Sequence, residues 1–143
     1  MQSRLGKLFI LLATLLQFAF SQASPAPASP TPDPHSVPTL DGGLGSCTAD
    51  FLITDKDNKA IYNAKVKVHI AYGFMSLHKL DLEVDTNVDG KARFTGLPDR
   101  LKHGIYFRAS EGDRSGEAFD DPSETCQKQF NMTLRKGDQP PPP

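Results

Sequence analysis

Hydrophobic and polar positions alternate along most of this chain with a period of two. Val66, Val68, Ile70 and Tyr72 share one face of a segment whose other face carries Lys65, Lys67 and His69, the pattern of a strand with one buried and one wetted side. Leu80, Leu82 and Val84 alternate with Lys79, Asp81, Glu83 and Asp85, and Ala92 and Phe94 alternate with Lys91, Arg93 and Thr95. Ile105, Phe107 and Ala109 follow against Tyr106 and Arg108, and Phe130, Met132 and Leu134 close the set. With the run over residues 47–54 these segments predict six strands, and residues 60–63 offer a seventh. Gly, Asn, Asp and Pro stand between them, where chain reversal favours those residues. Sustained helical spacing is absent after residue 23, so the expected fold is all-β: a small antiparallel β-sandwich of immunoglobulin-like kind with about seven strands. A barrel is the alternative, since it too buries one face of alternating strands.

The two ends differ in character from the middle. Arg4 and Lys7 precede an apolar stretch at residues 8–20, short for a bilayer span, and Ser21-Gln22-Ala23 places small residues where a signal peptidase cuts. Residues 1–23 are therefore expected to be a cleaved secretory signal, and the protein secreted or periplasmic. Residues 24–44 are rich in proline and are expected to form a flexible linker, as are residues 137–143 at the other end. That leaves residues 45–136 as one domain with a single core.

Charge narrows the partners only by exclusion. The chain has 16 basic and 17 acidic residues, and losing Arg4 and Lys7 with the signal makes the remainder more acidic. No basic stripe with interleaved aromatics appears, which disfavours nucleic acid. Cys47 and Cys126 are the only cysteines. In an exported chain an even pair that brackets the domain is expected to be a disulfide.

Two signatures carry a family resemblance. Ile53-Thr54-Asp55, then Asn58-Lys59-Ala60-Ile61, then Ala64-Lys65-Val66-Lys67-Val68 resembles the first hairpin of carboxypeptidase regulatory-like domains, whose members read V-x-D-x-x-G-x-P-I-x-G-A-x-V. Thr86-Asn87-Val88-Asp89-Gly90-Lys91-Ala92-Arg93-Phe94-Thr95-Gly96-Leu97-Pro98 is similar to the second, and Gly104-Ile105-Tyr106 to a G-x-Y strand. The resemblance implies a prealbumin-like (transthyretin-like) sandwich and a non-catalytic accessory role. The chain departs from the pattern at Asn58 and Lys59, at Ala60 before Ile61 and at Asn63, the positions of the family's glycines and proline.

Candidate chemistry is sparse. Asp85, Asn87 and Asp89 with Gly90 match the start of a calcium loop, but Gly96 occupies the place of the closing glutamate, so the segment reads as a polar turn and only a weak calcium candidate. His69, His78 and His103 lack metal-ligand spacing, although His69 and His78 flank one turn and could face each other. Ser115 stands one place late for a nucleophile elbow, and nothing buries Glu83 or Glu111. No enzymatic activity and no cofactor are expected on these grounds. Asn131-Met132-Thr133 is a glycosylation sequon. Residues 111–124 read as a long acidic loop. Phe74, Met75 and Phe119 stand as apolar residues in polar connections, either docking on a partner or tucked beneath their loops. The expected function is a secreted accessory module for a protein, envelope or polysaccharide partner. Carbohydrate binding is the alternative, with Tyr62, Tyr72 and Tyr106 as stacking surfaces in a chain without tryptophan.

Overall fold

The computed structural model describes residues 32–137, and the expected signal segment lies outside them, as do residues 24–31 of the proline-rich linker and residues 138–143. Nine strands form among the described residues: β1 Thr39–Asp41, β2 Cys47–Thr54, β3 Lys65–Tyr72, β4 His78–Asp85, β5 Lys91–Leu97, β6 Ile105–Glu111, β7 Arg114–Asp120, β8 Gln127–Thr133 and β9 Arg135–Lys136. One turn of 3-10 helix, Phe74–Ser76, joins β3 to β4. The strands form two sheets, β1-β5-β2-β8 and β4-β3-β6-β7-β9. All pairs are antiparallel except β1 with β5 and β2 with β8. The expected all-β sandwich is what the chain forms.

Period-two patterning places the core. In β2 the buried residues are Cys47, Ala49, Phe51 and Ile53, and in β3 they are Val66, Val68 and Ile70. Between the sheets four phenylalanines meet: Phe51 lies 6.0 Å from Phe94, 4.9 Å from Phe107 and 5.2 Å from Phe130, centroid to centroid. Edge-to-face and offset pairs of this kind add about 1 kcal/mol each beyond their buried area. Leu80, Leu82 and Val84 are only half-buried, because β4 is an edge strand.

Cys47 and Cys126 are bonded, with 4.5 Å between their Cα atoms. The bond sits at the head of the parallel β2–β8 pair, where Thr48 is registered with Gln127 and its N–H donates to the Cys126 carbonyl at 2.8 Å. Parallel neighbours cannot be joined by a tight turn, and a cross-link spanning 79 residues removes about 4.5 kcal/mol of unfolded-chain entropy in the loop-closure model.

Three elements depart from the sequence reading. Residues 114–120, expected in a loop, are β7. Its inward positions are small, Gly116 and Ala118, because Leu134 fills the space there and a Cβ on Gly116 would meet Leu134 Cδ2 at 3.2 Å. A strand with glycine on its core face shows no hydrophobic alternation. Residues 60–63 make only a single bridge, Thr54 with Ala60. Thr39–Asp41, expected in the linker, instead adds β1 beside β5, with the Arg93 N–H donating to the Pro38 carbonyl at 2.9 Å.

Candidate functional site

The β3–β4 hairpin pairs without a slip from Lys65 with Asp85 to Tyr72 with His78, and the rings of that last pair lie 5.4 Å apart. Beyond them residues 73–77 form a tip. Gly73 turns the chain at φ 77°, where a Cβ would strike the His78 ring at 2.7 Å. Met75 and Ser76 then take left-handed φ values of 52° and 55°, a conformation that costs a side chain-bearing residue about 1 kcal/mol or more. The result is an outward display in which Phe74 is 82%, Met75 77% and Leu77 72% exposed. Leaving such side chains in water forgoes about 1.5–3 kcal/mol each.

Phe119 does not join this display. It lies on β7 opposite Tyr106, with ring centroids 4.8 Å apart, and it covers the backbone of Gly104, where a Cβ would come within 2.5 Å of its ring. Around this pair the outer face of the second sheet is an ion-pair ladder. Asp81 meets His69 Nδ1 at 2.6 Å, Glu83 takes Lys65 at 2.8 Å and Lys67 at 2.7 Å, and Arg108 faces Glu117 at 3.5 Å. Hydrogen bonds from Lys65 and then Lys67 hold the Glu83 carboxyl down at about 2. His69 and His78 are not brought together, since Asp81 takes the first and Tyr72 stacks on the second.

The β4–β5 turn uses its polar groups internally. Asn87 is buried; its Oδ1 accepts from the N–H of Asp89 at 3.0 Å and of Lys91 at 2.8 Å, and its Nδ2 donates to the carbonyls of His35 at 2.9 Å and Ser36 at 3.2 Å. Asp89 pairs with His35 Nδ1 at 3.0 Å, and Asp85 reaches Lys65 at 3.4 Å. Each residue proposed for calcium thus has another partner. The described residues contain no group of three or more His, Cys, Asp or Glu side chains placed to share an ion.

Tyr106, expected on the outward face of its strand, lies there, whereas Leu77 was not singled out with Phe74 and Met75. Leu77 carried a signal: it breaks the even-numbered inward register of Leu80, Leu82 and Val84 and so belongs outside.

No family model matches the chain, and no curated protein does. Among solved structures the chain is similar to 3-chlorocatechol 1,2-dioxygenase from Rhodococcus opacus 1CP, at 11% identity and TM-score 0.45, covering 78% of this chain and 68% of that one. Catechol 1,2-dioxygenase from Pseudomonas arvilla C-1 is similar at 12% identity and TM-score 0.44, covering 74% and 60%. The Acinetobacter radioresistens enzyme is similar at 15% and 0.43, covering 73% and 60%. For the last two the chain spans about 60% of the neighbour's length. These neighbours are enzymes, and they correct two expectations: a non-catalytic accessory module, with carbohydrate binding as its alternative, and the exclusion of enzymatic activity. The first rested on the family resemblance, and both on finding no catalytic motif in the sequence. At these scores the likeness assigns no activity to this chain.

Proposed function

We propose that the domain docks on an apolar surface through the β3–β4 hairpin tip. The observation that carries this is the outward display of Phe74, Met75 and Leu77 on a five-residue tip in which Met75 and Ser76 are held in left-handed conformations. A tip that served only to reverse the chain would favour glycine or asparagine at positions 75 and 76 and polar side chains around them. The partner is a protein or an envelope component. Phe119, packed on Tyr106 and Gly104, is assigned to the sheet face instead. This reading concerns the tip alone and excludes no activity elsewhere in the molecule.

The disulfide supports an exported location, reached through residues 1–23 as a cleaved signal. Among the described residues no helix is long and apolar enough to cross a membrane. Asn58 and Asn63 have φ values of 59° and 58°, at positions where carboxypeptidase regulatory-like domains carry glycine. Asparagine tolerates that conformation better than other non-glycine residues, which supports the family resemblance of the first hairpin.

The test is the triple variant F74S/M75S/L77S. We expect its thermal midpoint to stay within a few degrees of the parent while binding to isolated envelope fractions, lipid and protein together, is lost. A fall of ten degrees or more would make the tip structural and remove the interface, and so would unchanged binding.

A further inference from the structure

We propose that the surface on which the tip docks is an anionic lipid bilayer, with Phe74, Met75 and Leu77 entering the headgroup region and Lys79, Arg100 and Lys102 contacting lipid phosphates. This rests on the docking role of the tip and names its partner. The topology supplies the cations. Strand β6 runs antiparallel to β3, with Lys65 opposite Ser110 and Val68 opposite Phe107, so the end of β3 and the chain entering β6 lie at the same end of the sheet. The tip springs from the first, and residues 99–103 form the loop that leads into the second. Within that loop Leu101 is half-buried against the core, which leaves its neighbours Arg100 and Lys102 exposed.

Lys65, Lys67, Arg93, Arg108, Arg114, Lys128 and Lys136 all meet carboxylates. Six of the described lysines and arginines make no salt bridge to any described residue; Lys59, Lys91 and Arg135 lie toward the opposite end of the strands, and Lys79, Arg100 and Lys102 lie at this one. Asp99 is the one acid in the loop beside them. Asp121 and Glu124 follow β7 at this end of the sheet, on the far side of β6 from the tip. A convex apolar tip with a cationic collar suits a fluid, negatively charged interface, which conforms to the protrusion and places phosphates around it. A rigid protein groove would instead need matched hydrogen bonds, and among the tip's side chains only Ser76 has one to offer.

The chain has no tryptophan, so Phe74→Trp creates a single reporter in the full-length protein. Vesicles of phosphatidylcholine alone are compared with vesicles containing phosphatidylglycerol, and the N-terminal apolar segment is common to every variant. The expected result is a blue-shifted emission, quenched by brominated lipid, on the anionic vesicles only. Vesicle affinity should fall at least tenfold in R100E/K102E and in F74S/M75S/L77S, and it should weaken as salt is raised. An unchanged spectrum on anionic vesicles overturns the lipid assignment, as does R100E/K102E binding like the parent. Should vesicles fail while lipid-free envelope protein still retains the parent and releases the triple-serine variant, the docking role stands and its partner is a protein. If the triple-serine variant matches the parent in both assays, the docking role falls as well.

Discussion

Two turns flank the same edge strand, and they treat their side chains in opposite ways. At the β4–β5 turn polar groups are buried and satisfied: Thr86 is 2% exposed, its Oγ1 accepting from the Ala64 N–H at 2.9 Å and donating to the Ile61 carbonyl at 2.7 Å. At the β3–β4 turn apolar groups are exposed, and the backbone bonds are long, 3.2 Å for Ser76 N–H to Gly73 and 3.3 Å for Leu77 N–H to Phe74. In sequence the first read as a polar turn with a weak calcium candidacy, and the second as a connection whose Phe74 and Met75 were candidates for docking. In structure the first holds the fold together, and the second leaves its apolar side chains mostly exposed. A polar motif whose groups are bonded internally must give up those bonds to take a ligand. An apolar segment left exposed keeps its binding capacity.

The comparison breaks most sharply at Asn87. Asn87→Ala removes four hydrogen bonds at a buried position and strands two N–H donors and two carbonyls, so about 3 kcal/mol of stability should be lost. For a domain of this size that lowers the thermal midpoint by about 15 °C. Calcium should not restore it, because no bound ion is being replaced. A midpoint within 3 °C of the parent, or a recovery on adding calcium, would show that this turn is a ligand site after all.

Thr86→Val probes the same turn at lower cost. The hydroxyl leaves one buried N–H and one carbonyl without partners, worth about 2 kcal/mol together, with the volume conserved. Urea denaturation should show an unchanged slope and a lower midpoint. Equal stability of the two proteins would mean that water fills the gap.

How much of this was legible depends on which faces carry side chains. Strands with large inward residues, such as Val66, Val68 and Ile70 or Phe107 and Ala109, announce their register. β7 does not, because Leu134 occupies the volume that Gly116 leaves empty, and that relation spans two strands far apart in sequence. The placement of β1 was hidden for a similar reason: its anchors, the Asn87 side chain and the Arg93 N–H, lie 51 or more residues from the carbonyls they serve. Phe74 and Met75 were visible as misplaced apolar residues. Phe119 was visible too, but its place beside Tyr106 and over the bare backbone of Gly104 was not. Arg100 and Lys102 gain meaning only when β6 is seen beside β3.

The tip offers a change of opposite sign. Met75→Gly relieves a left-handed residue but gives the unfolded chain more freedom, so the net gain should be about 0.5 kcal/mol, read as a rise of a few degrees in the midpoint. Docking should weaken at the same time, because an apolar side chain is gone. Loss of stability in this variant would mean that the Met75 side chain packs on its own domain.

The smallest effect belongs to the strap that precedes β1. His35 lies against Asp89, and the hydrogen bond and charge of that carboxylate, with a lesser contribution from Asp33, raise the imidazole above its ordinary value. A group whose folded pKa is raised stabilises fully below the unfolded value, about 6.5, and loses that contribution as pH climbs through the folded value above it. The pair is exposed, so the effect should be local detachment of the strap and not global unfolding. Its reporters are the Arg93 N–H, bonded to the Pro38 carbonyl at 2.9 Å, and the Val88 N–H, 3.4 Å from that of Pro34. Their hydrogen-exchange protection factors, corrected for intrinsic rates, should fall in the parent as pH rises above the ordinary imidazole value of about 6.5. In His35→Gln they should be lower at acid pH and flat across the range. Parallel profiles for the two proteins would show that Asn87, through its bonds to the His35 and Ser36 carbonyls, holds the strap without help from the ion pair.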